Sequence, residues 1–289
     1  MASTQLSDGE KTFIIHGVLD NLRNDGRTCE NYRQIEVECG VVSNTSGSSR
    51  LRLSNTEVLV GIKAEMGQPK PQSPKTGFLE FFVDFSANAS PEFEGRGGND
   101  LSEDMSTRFA EVFQTNNILD FESLCIIPGQ CCWVLYIDIV LLECGGNLLD
   151  AMSLAVKAAL ANTRIPKVTV LRDSEGGEDI EVSDDPDGYH TLEISKVPLF
   201  VTLSKIGQKH VVDATLEEEA CCSASLVVSV NSSGDFTGMV KKGSSSLSND
   251  SIHDMLVTAK KVGIQLHKGL DTLLSEVGQS TAGRGFLVG

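Results

Sequence analysis

The turn Gly145-Gly146-Asn147 is the first place in this sequence where residue types and spacing could do chemistry. It lies between an apolar run at residues 133–142 and a segment rich in alanine and leucine at residues 148–161. A glycine turn from a strand into a helix can bind phosphate, because backbone N–H groups are free at a helix N-terminus. No GKS or GKT follows, which excludes a P-loop. The alternative is a tight turn in which Asn147 caps the helix.

Acidic residues form a second candidate. Glu217, Glu218 and Glu219 come soon after Asp213, and carboxylates can ligate metals or act as general acids and bases. Successive residues do not converge on one site unless the chain turns there, so the pattern favours a solvated loop. If a metal were bound, Asp213 would be the more informative carboxylate.

The histidines and cysteines show no spacing that indicates a metal site. There is no HExxH, no CxxC and no GxSxG, the patterns expected of zinc ligands or a serine nucleophile. We expect the histidines to lie on the surface or to be satisfied by hydrogen bonds. We expect the cysteines to be reduced, buried thiols of a cytosolic or nuclear protein. These residues are His16, His190, His210, His253 and His267, and Cys29, Cys39, Cys125, Cys131, Cys132, Cys144, Cys221 and Cys222.

Three basic residues are candidates for contacts with a phosphate backbone. Arg96 stands between glycines, where missing side chains would let phosphates approach closely. Arg108 falls on the next predicted helix and Lys63 on a predicted strand, as do Arg50 and Arg52. The alternative for each is a solvated charge or an ordinary ion pair.

The elements that position these residues follow from hydrophobic periodicity. Ser7 and Glu10 have the spacing of a capping box, and we predict an opening helix that ends near residues 24–26. Its apolar residues are Phe13, Ile14, Val18 and Leu22. Alternation predicts strands within residues 35–39, 50–53, 58–64 and 78–85, and a helix at residues 105–113. The apolar run at residues 133–142 predicts a strand covered on both faces.

The second part of the chain repeats the order of strands and then a helix. Residues 173–187 carry eight acidic residues, which predicts a solvated loop or insertion and a hinge between halves. Strands are predicted near residues 199–203, 211–212, 224–230 and 236–240. Residues 249–274 predict a long helix that Gly263 weakens, and the tail after Gly278 is expected to fray.

This order predicts an α+β chain with two similar halves. We divide it into a helical extension (residues 1–24), a first half (25–172), an acidic loop (173–190), a second half (191–277) and a flexible tail (278–289).

The charge balance restricts the function classes. The 289 residues carry a formal net charge of −16, which argues against a free-standing nucleic-acid binder because phosphate contacts need basic patches. Either the chain has no polyanion partner, or other chains supply most of the positive charge. The first residues lack the features of a signal peptide, and the apolar run at residues 133–142 is too short to span a bilayer. We therefore expect no membrane partner.

Several motifs, in order, resemble the RNase PH family over most of the chain. They are Asp25-Gly26-Arg27, Tyr32-Arg33, Ser46-Gly47-Ser48, the stretch from Asn55 to Glu65, the strand Trp133-Val134-Leu135-Tyr136-Ile137-Asp138 and the turn and helix Gly145-Gly146-Asn147-Leu148-Leu149-Asp150-Ala151. The resemblance implies the RNase PH-like fold, with two similar βαβ-containing halves, mixed sheets and packed helices. Active members are phosphorolytic 3′→5′ exoribonucleases, which need a phosphate pocket and carboxylates at the scissile bond.

The departures from the family pattern predict that this chain lacks catalysis. Leu148 stands where active members have a phosphate-binding arginine, and Ser223 and Ser225 stand where they have acidic residues. A paired arginine before the second helix is matched by Asp100 and Leu101. With these positions changed, the resemblance predicts no catalytic residue and no cofactor in this chain.

The resemblance then implies a scaffold role. We expect a non-catalytic ring subunit of the RNA exosome core, in an obligate hetero-oligomeric ring with RNase PH-like neighbours. Partners would be cap subunits with S1 or KH domains, a separate hydrolytic nuclease and single-stranded RNA, with Arg96, Arg108 and Lys63 as the RNA contacts. The expected compartments are nucleus, nucleolus and cytoplasm. The alternatives are an active phosphorolytic exoribonuclease at a composite site with a neighbour, and a small-molecule enzyme on a similar scaffold.

Overall fold

The computed structural model describes residues 6–95, 98–114, 118–172, 178–182, 185 and 188–282. The helices are α1 (Asp8–Leu19), α2 (Asn99–Phe113), α3 (Leu148–Ala161), α4 (Leu216–Cys221) and α5 (Asn249–Ala282). The strands are β1 (Ile35–Cys39), β2 (Gly47–Leu53), β3 (Thr56–Gly67), β4 (Phe78–Phe85), β5 (Cys125–Ile127), β6 (Cys131–Glu143), β7 (Arg164–Pro166), β8 (Val168–Arg172), β9 (Glu178–Val182), β10 (Tyr189–Thr191), β11 (Leu199–Ile206), β12 (Lys209–Val212), β13 (Ala224–Val230) and β14 (Phe236–Lys242).

The first half is built on a mixed sheet in the order β1-β2-β3-β6-β4, with β5 paired to β6. Its neighbours are antiparallel except β4 and β6, which run parallel. A parallel pair needs a crossover, and α2 supplies it. Phe81 of β4 stacks on Phe109 of α2. The sheet therefore buries the face that carries Phe81 under α2.

Only the second part of β6 has one open face, because Cys132 and Val134 are buried as well as Trp133 and Leu135. This corrects in part the prediction that the apolar run is covered on both faces. Ile62 of β3, Ile137 of β6 and Phe81 of β4 are register partners and all are buried. Asp138 and Phe82 are partners on the other face and both are exposed. The continuous apolar sequence of β6 therefore conceals an alternation between a covered face and an open one.

The second half is an antiparallel sheet in the order β12-β11-β13-β14. Helix α3 is buried on nearly all sides between this sheet and the first, which its many alanines permit because they let both sheets approach. Helix α5 packs against β11 and β13. A single hydrophobic cluster contains side chains from both halves, so the two sheets share one core through α3.

The opening helix is shorter than predicted. The capping box of Ser7 and Glu10 is confirmed, but α1 ends at Leu19 rather than near residues 24–26. Among its apolar residues Ile14 and Val18 are buried, whereas Phe13 is 69% exposed. Helical spacing alone overstated the buried face of this helix.

Two features of the second part also differ from expectation. The acidic segment contains strand β9, which pairs with β8 in an antiparallel hairpin, and β10, which pairs with β7. Helix α5 continues to Ala282, beyond Gly278, and passes through Gly263 without interruption. A Cβ at Gly263 would lie 2.9 Å from Val230 of β13, so the glycine permits close packing of helix on sheet. In the described part of the chain, no helix is both long enough and apolar enough for a membrane span.

Candidate functional site

The turn before α3 is held in a conformation that few residues adopt. Gly146 has φ +90° and a Cβ there would meet the Ala214 carbonyl oxygen at 2.7 Å, and Asn147 has φ +56°. Positive φ is favourable for glycine and tolerated by asparagine. The turn is therefore fixed by backbone geometry that its residue types allow.

Asn147 stands at the N-cap position but does not cap the helix, which corrects the predicted role of its side chain. Its Nδ2 instead donates to Asp150 at 3.0 Å and to Asp213 at 2.9 Å. Its backbone N–H donates to the Glu219 Oε1 at 2.8 Å. A carboxylate of the chain itself thus binds the N–H group at the point where a phosphate could bind at a helix N-terminus.

Asp213 is the centre of a buried ion-pair network with Arg27 and Arg33. Arg33 donates to it from its backbone N–H, Nε and Nη2 at 2.8, 2.9 and 2.7 Å, and Arg27 donates from Nη1 at 2.9 Å. These bonds hold the pKa of Asp213 below its ordinary value although burial raises it. Asp213 has φ +46°. The sequence suggested Asp213 as the carboxylate to examine if a metal were bound. In the structure it instead forms ion pairs with Arg27 and Arg33.

Asp150, on the first turn of α3, extends this network through hydrogen bonds to uncharged donors. It accepts hydrogen bonds from Tyr32 Oη at 2.5 Å, from Thr202 N and Oγ1 at 2.9 and 2.7 Å, and from Asn147. Burial raises the pKa of Asp150 to about 6, although its four donors oppose the shift. Residues from both halves thus meet at the first turn of α3.

The three glutamates are not a solvated loop, which corrects the sequence-based prediction. They form the short helix α4, which begins with a capping box between Thr215 and Glu218. Glu218 is buried and accepts hydrogen bonds from Arg23 Nε and Nη2, and Arg23 also donates to the carbonyl oxygens of residues 212 and 213. Burial raises the pKa of Glu219.

Three of the positions that depart from the family pattern meet at one cavity. Leu148, Ser223 and Ser225 all line a space of about 130 Å³ between α2, α3, α4, β13 and β14. Leu148 presents an apolar side chain there, and Ser223 donates from Oγ to the carbonyl oxygen of Lys205. Asp100 and Leu101 lie at the start of α2, and Leu101 also lines the cavity.

The two predicted RNA contacts that the structure describes lie on different faces of the first sheet. Lys63 is on the open face of the first sheet, where it pairs with Glu65 at 2.6 Å. Arg108 is on α2, which covers the opposite face, and pairs with Asp104 at 2.8 Å. Arg96 lies outside the described residues. Arg50 and Arg52 also pair with glutamates, Arg50 with Glu57 at 2.5 Å and Arg52 with Glu143 at 3.9 Å.

All eight cysteines are free thiols, but only Cys29 and Cys132 are buried, which corrects in part the prediction of buried thiols. His267 is buried, with Nδ1 at 2.7 Å from Lys157 Nζ and Nε2 at 2.9 Å from the Val230 carbonyl oxygen. Burial and the adjacent lysine lower the pKa of His267 to about 4. Burial raises the pKa of Cys144 and Cys222, which line the cavity. Within the described ranges, no three His, Cys, Asp or Glu side chains could together hold a metal ion.

Sequence reasoning missed the contacts that hold this site together. Arg23 carried no recognised signal, and Tyr32 was noted only within the motif Tyr32-Arg33. Their partners Glu218 and Asp150 are 195 and 118 positions away. The spacing of Thr215 and Glu218 is a capping-box pattern, and it could have indicated that the glutamates begin a helix.

Comparisons with known proteins agree with this fold. Models of the 3′ exoribonuclease family match residues 31–166 as domain 1 and residues 196–262 as domain 2. An exosome complex exonuclease RRP42 of Dictyostelium discoideum is 34% identical, over 94% of this chain and 99% of the relative. An exosome complex component Rrp42 of Methanothermobacter thermautotrophicus is 34% identical, over 86% of this chain and 89% of that protein.

A solved structure is similar over nearly the whole chain. One chain of the Archaeoglobus fulgidus exosome, with RNA bound to the active site, superposes with a TM-score of 0.76 at 26% identity, covering 91% of this chain and 98% of that one. The two matched domains and the relatives at full length lead to one assignment. The chain belongs to the 3′ exoribonuclease family and has the RNase PH-like fold.

Proposed function

We propose that this chain is a non-catalytic ring subunit of an RNA exosome core, which scaffolds a channel that guides RNA 3′ ends to a separate nuclease for processing and decay. The full-length similarity to exosome components named Rrp42 supports the ring role. Within that ring the specific counterpart we propose is the subunit called exosome component seven.

The observation that carries the non-catalytic part is the bond between the Asn147 N–H and Glu219. In a phosphorolytic site this end of the helix would favour an anion. Here a carboxylate already occupies it, and a second anion would be repelled. The neighbouring Leu148 offers no positive charge to offset that repulsion.

Exposed apolar side chains are candidate contacts with neighbouring subunits. Phe13, Phe82 and Met239 are exposed on separate elements. The proposed partners are RNase PH-like ring subunits, S1 or KH cap subunits and a hydrolytic nuclease, in an obligate hetero-oligomer. The proposed compartments are nucleus, nucleolus and cytoplasm, which a fluorescently tagged chain would reveal by microscopy.

The RNA contacts remain the same three residues, Arg96, Arg108 and Lys63. The ion pairs of Arg108 and Lys63 are partly or largely exposed, so a phosphate can exchange with the carboxylate partner at low cost. Charge reversal of all three residues should weaken protection of single-stranded RNA by the assembled ring. Unchanged protection would reject this assignment of contacts.

The decisive experiment uses the chain co-expressed with its ring partners. The purified assembly is incubated with single-stranded RNA, phosphate and magnesium, and both its size and the released nucleotides are measured. A stable ring that binds RNA without releasing nucleoside diphosphates is the expected result. Failure of this chain to enter the ring would reject the scaffold role.

The alternative is a composite phosphorolytic site shared with a neighbour. The charged pair of Glu219 and Lys242 beside the same cavity is what favours it. Release of diphosphates that stops in a Lys242→Met variant, with the ring still assembled, would support this alternative. Asp213 and Glu218 are unsuitable for that test, because each is a buried anchor whose loss would disrupt folding.

A further inference from the structure

Two cysteines face each other across the hairpin between β5 and β6. Cys125 of β5 and Cys132 of β6 are register partners in this antiparallel pair. The Trp133 N–H donates to the Leu124 carbonyl oxygen at 2.8 Å, just outside the pair, so Cys125 and Cys132 occupy a position without hydrogen bonds between them. Cα atoms at such a position lie about 4.5 Å apart, within the roughly 4.4–6.8 Å that a disulfide spans. The backbone can therefore accept a bond between these two sulfurs without moving.

The neighbouring positions direct Cys132 to Cys125 rather than to Cys131. Cys131 precedes Cys132 on β6, and successive side chains on a strand point to opposite faces. Residues directly opposite each other on paired strands share a face, as Cys125 and Cys132 do. On its other side Cys132 is the register partner of Gly67 of β3, which has no side chain. Across both neighbouring strands, Cys125 thus supplies the side chain that lies opposite the Cys132 thiol.

The two thiols differ in their access to solvent. Cys125 is partly exposed, whereas Cys132 is fully buried. Burial, and then the nearby thiols of Cys131 and Cys125, raise the pKa of Cys132 to about 11. Cys132 is therefore protonated at neutral pH, and the thiolate is the form that attacks a disulfide. We expect an oxidant from solution to react with Cys125 first, and Cys132 to be the second thiol.

We propose that Cys125 and Cys132 form a reversible disulfide, a modification site that reacts with low-molecular-weight disulfides such as oxidised glutathione. The thiolate of Cys125 attacks one sulfur of the oxidant, whose S–S bond breaks and releases one reduced thiol. Cys132 then loses its proton, attacks the Cys125 sulfur and releases the second thiol. The chain loses two electrons and two protons, and the oxidant becomes two thiols. In a reducing compartment the resting state remains two thiols, because disulfides of intracellular proteins are usually transient.

The bond would brace one end of the first sheet. The Gly129 N–H, in the turn of this hairpin, donates to the Pro74 carbonyl oxygen at 2.7 Å. A covalently closed hairpin should therefore hold the loop between β3 and β4 against the sheet. The glycine turn before α3 follows the other end of β6, whose 13 residues extend over roughly 40 Å at about 3.3 Å per residue. The modification site is thus separate from the candidate functional site and does not rest on the proposed ring role.

The test exposes the full chain to mixtures of reduced and oxidised glutathione, then quenches it in acid, unfolds it and alkylates the free thiols. Tandem mass spectrometry locates the cysteines that escaped alkylation. We expect Cys125 and Cys132 to escape together, with Cys131 alkylated. Cys125→Ser should lower the oxidised fraction at a fixed glutathione ratio by at least about tenfold, because no other thiol makes the second step intramolecular in this geometry. Cys131→Ser is the matched control on the same hairpin and should leave the oxidised fraction unchanged.

Each outcome decides the proposal. A bond between Cys125 and Cys132 in the unaltered chain supports it, whether or not each variant folds. A bond between Cys131 and Cys132, glutathione that stays on Cys125, or no oxidation at the highest ratio would overturn it. Amide hydrogen exchange of Gly129 should be slower in the oxidised chain, and unchanged exchange would overturn the bracing of the loop. Ring assembly of the co-expressed complex is scored separately, so failure here would leave the scaffold role standing.

Discussion

Replacement of Asp213 by asparagine should strongly destabilise the folded chain. Asparagine has nearly the same shape and tolerates the left-handed backbone at this position, where φ is +46°. The substitution therefore removes the negative charge with little added backbone strain. What it leaves behind is a pair of poorly exposed arginines, Arg27 and Arg33, that lose their common counter-charge.

The magnitude follows from the contacts. Asp213 accepts five hydrogen bonds within 2.9 Å, four from the two arginines and one from Asn147. Breaking a buried ion pair by removing one partner costs about 3–5 kcal/mol, because the other charge stays buried. We expect Asp213→Asn to lower the free energy of unfolding by an amount in that range.

Urea unfolding at neutral pH, followed by the fluorescence of the single tryptophan Trp133, measures this loss. The matched control is Glu65→Gln, which breaks the exposed pair with Lys63 and should cost at most about 1 kcal/mol. If Asp213→Asn lowered the free energy of unfolding by no more than the control does, the stabilising role of this ion-pair network would be refuted. The pKa of Asp213 is lowered by folding, so its contribution is present above the ordinary value of 3.8 and is lost as pH falls through the folded pKa. The difference between wild type and variant should therefore shrink in acid.

Three further predictions concern stability. Gly263→Ala should destabilise the chain by about 1–3 kcal/mol in urea unfolding, because its Cβ would overlap Val230. Gly269→Ala has open space around it and should stabilise the chain by up to about 1 kcal/mol. The same sign for both changes would contradict the packing argument. Carboxyl NMR of Asp150 should show a titration midpoint near pH 6. Because the native state holds this proton to higher pH than the unfolded chain does, the contribution of Asp150 to stability falls as pH rises from about 4 to about 6. A midpoint below pH 4 would reject the raised pKa. Ser7→Ala should cost about 1 kcal/mol of helix stability through loss of the cap. Amide hydrogen exchange in α1 should become faster in this variant. Unchanged exchange would mean that packing alone holds the helix.

The regular elements could be predicted from sequence because their signals are local. The alternation at residues 35–39 and 50–53, and the helical spacing of Met105, Phe109 and Phe113, each reflect one face turned to the core. These patterns repeat within a few residues. The covered and open faces of β6 could not be separated in the same way, because half-exposed residues such as Val140 are also apolar.

The end of α1 has a local cause as well as a distant contact. The turn at residues 24–26 exists, with Gly26 at φ +80°, but the helix stops earlier, at Leu19. Asn21 has φ +59° and the Leu22 N–H donates to the Gly17 carbonyl oxygen at 2.9 Å, an arrangement that ends helices and that asparagine tolerates. Beyond it, Arg23 reaches Glu218 and two carbonyl oxygens of the second half. No local pattern contains this second contact, since it joins chain segments about 190 positions apart.

The same argument explains why the site was only half visible. The sequence located the glycine turn and Asp213 as separate features, and it assigned Asn147 to a cap and Glu219 to a loop. The structure joins all of them through the short helix α4, whose first turn carries the carboxylate that binds the Asn147 N–H. The position that could have bound an anion is therefore satisfied by the chain itself. A turn stabilised in this way needs no ligand to keep its shape, so the fold can persist as a scaffold.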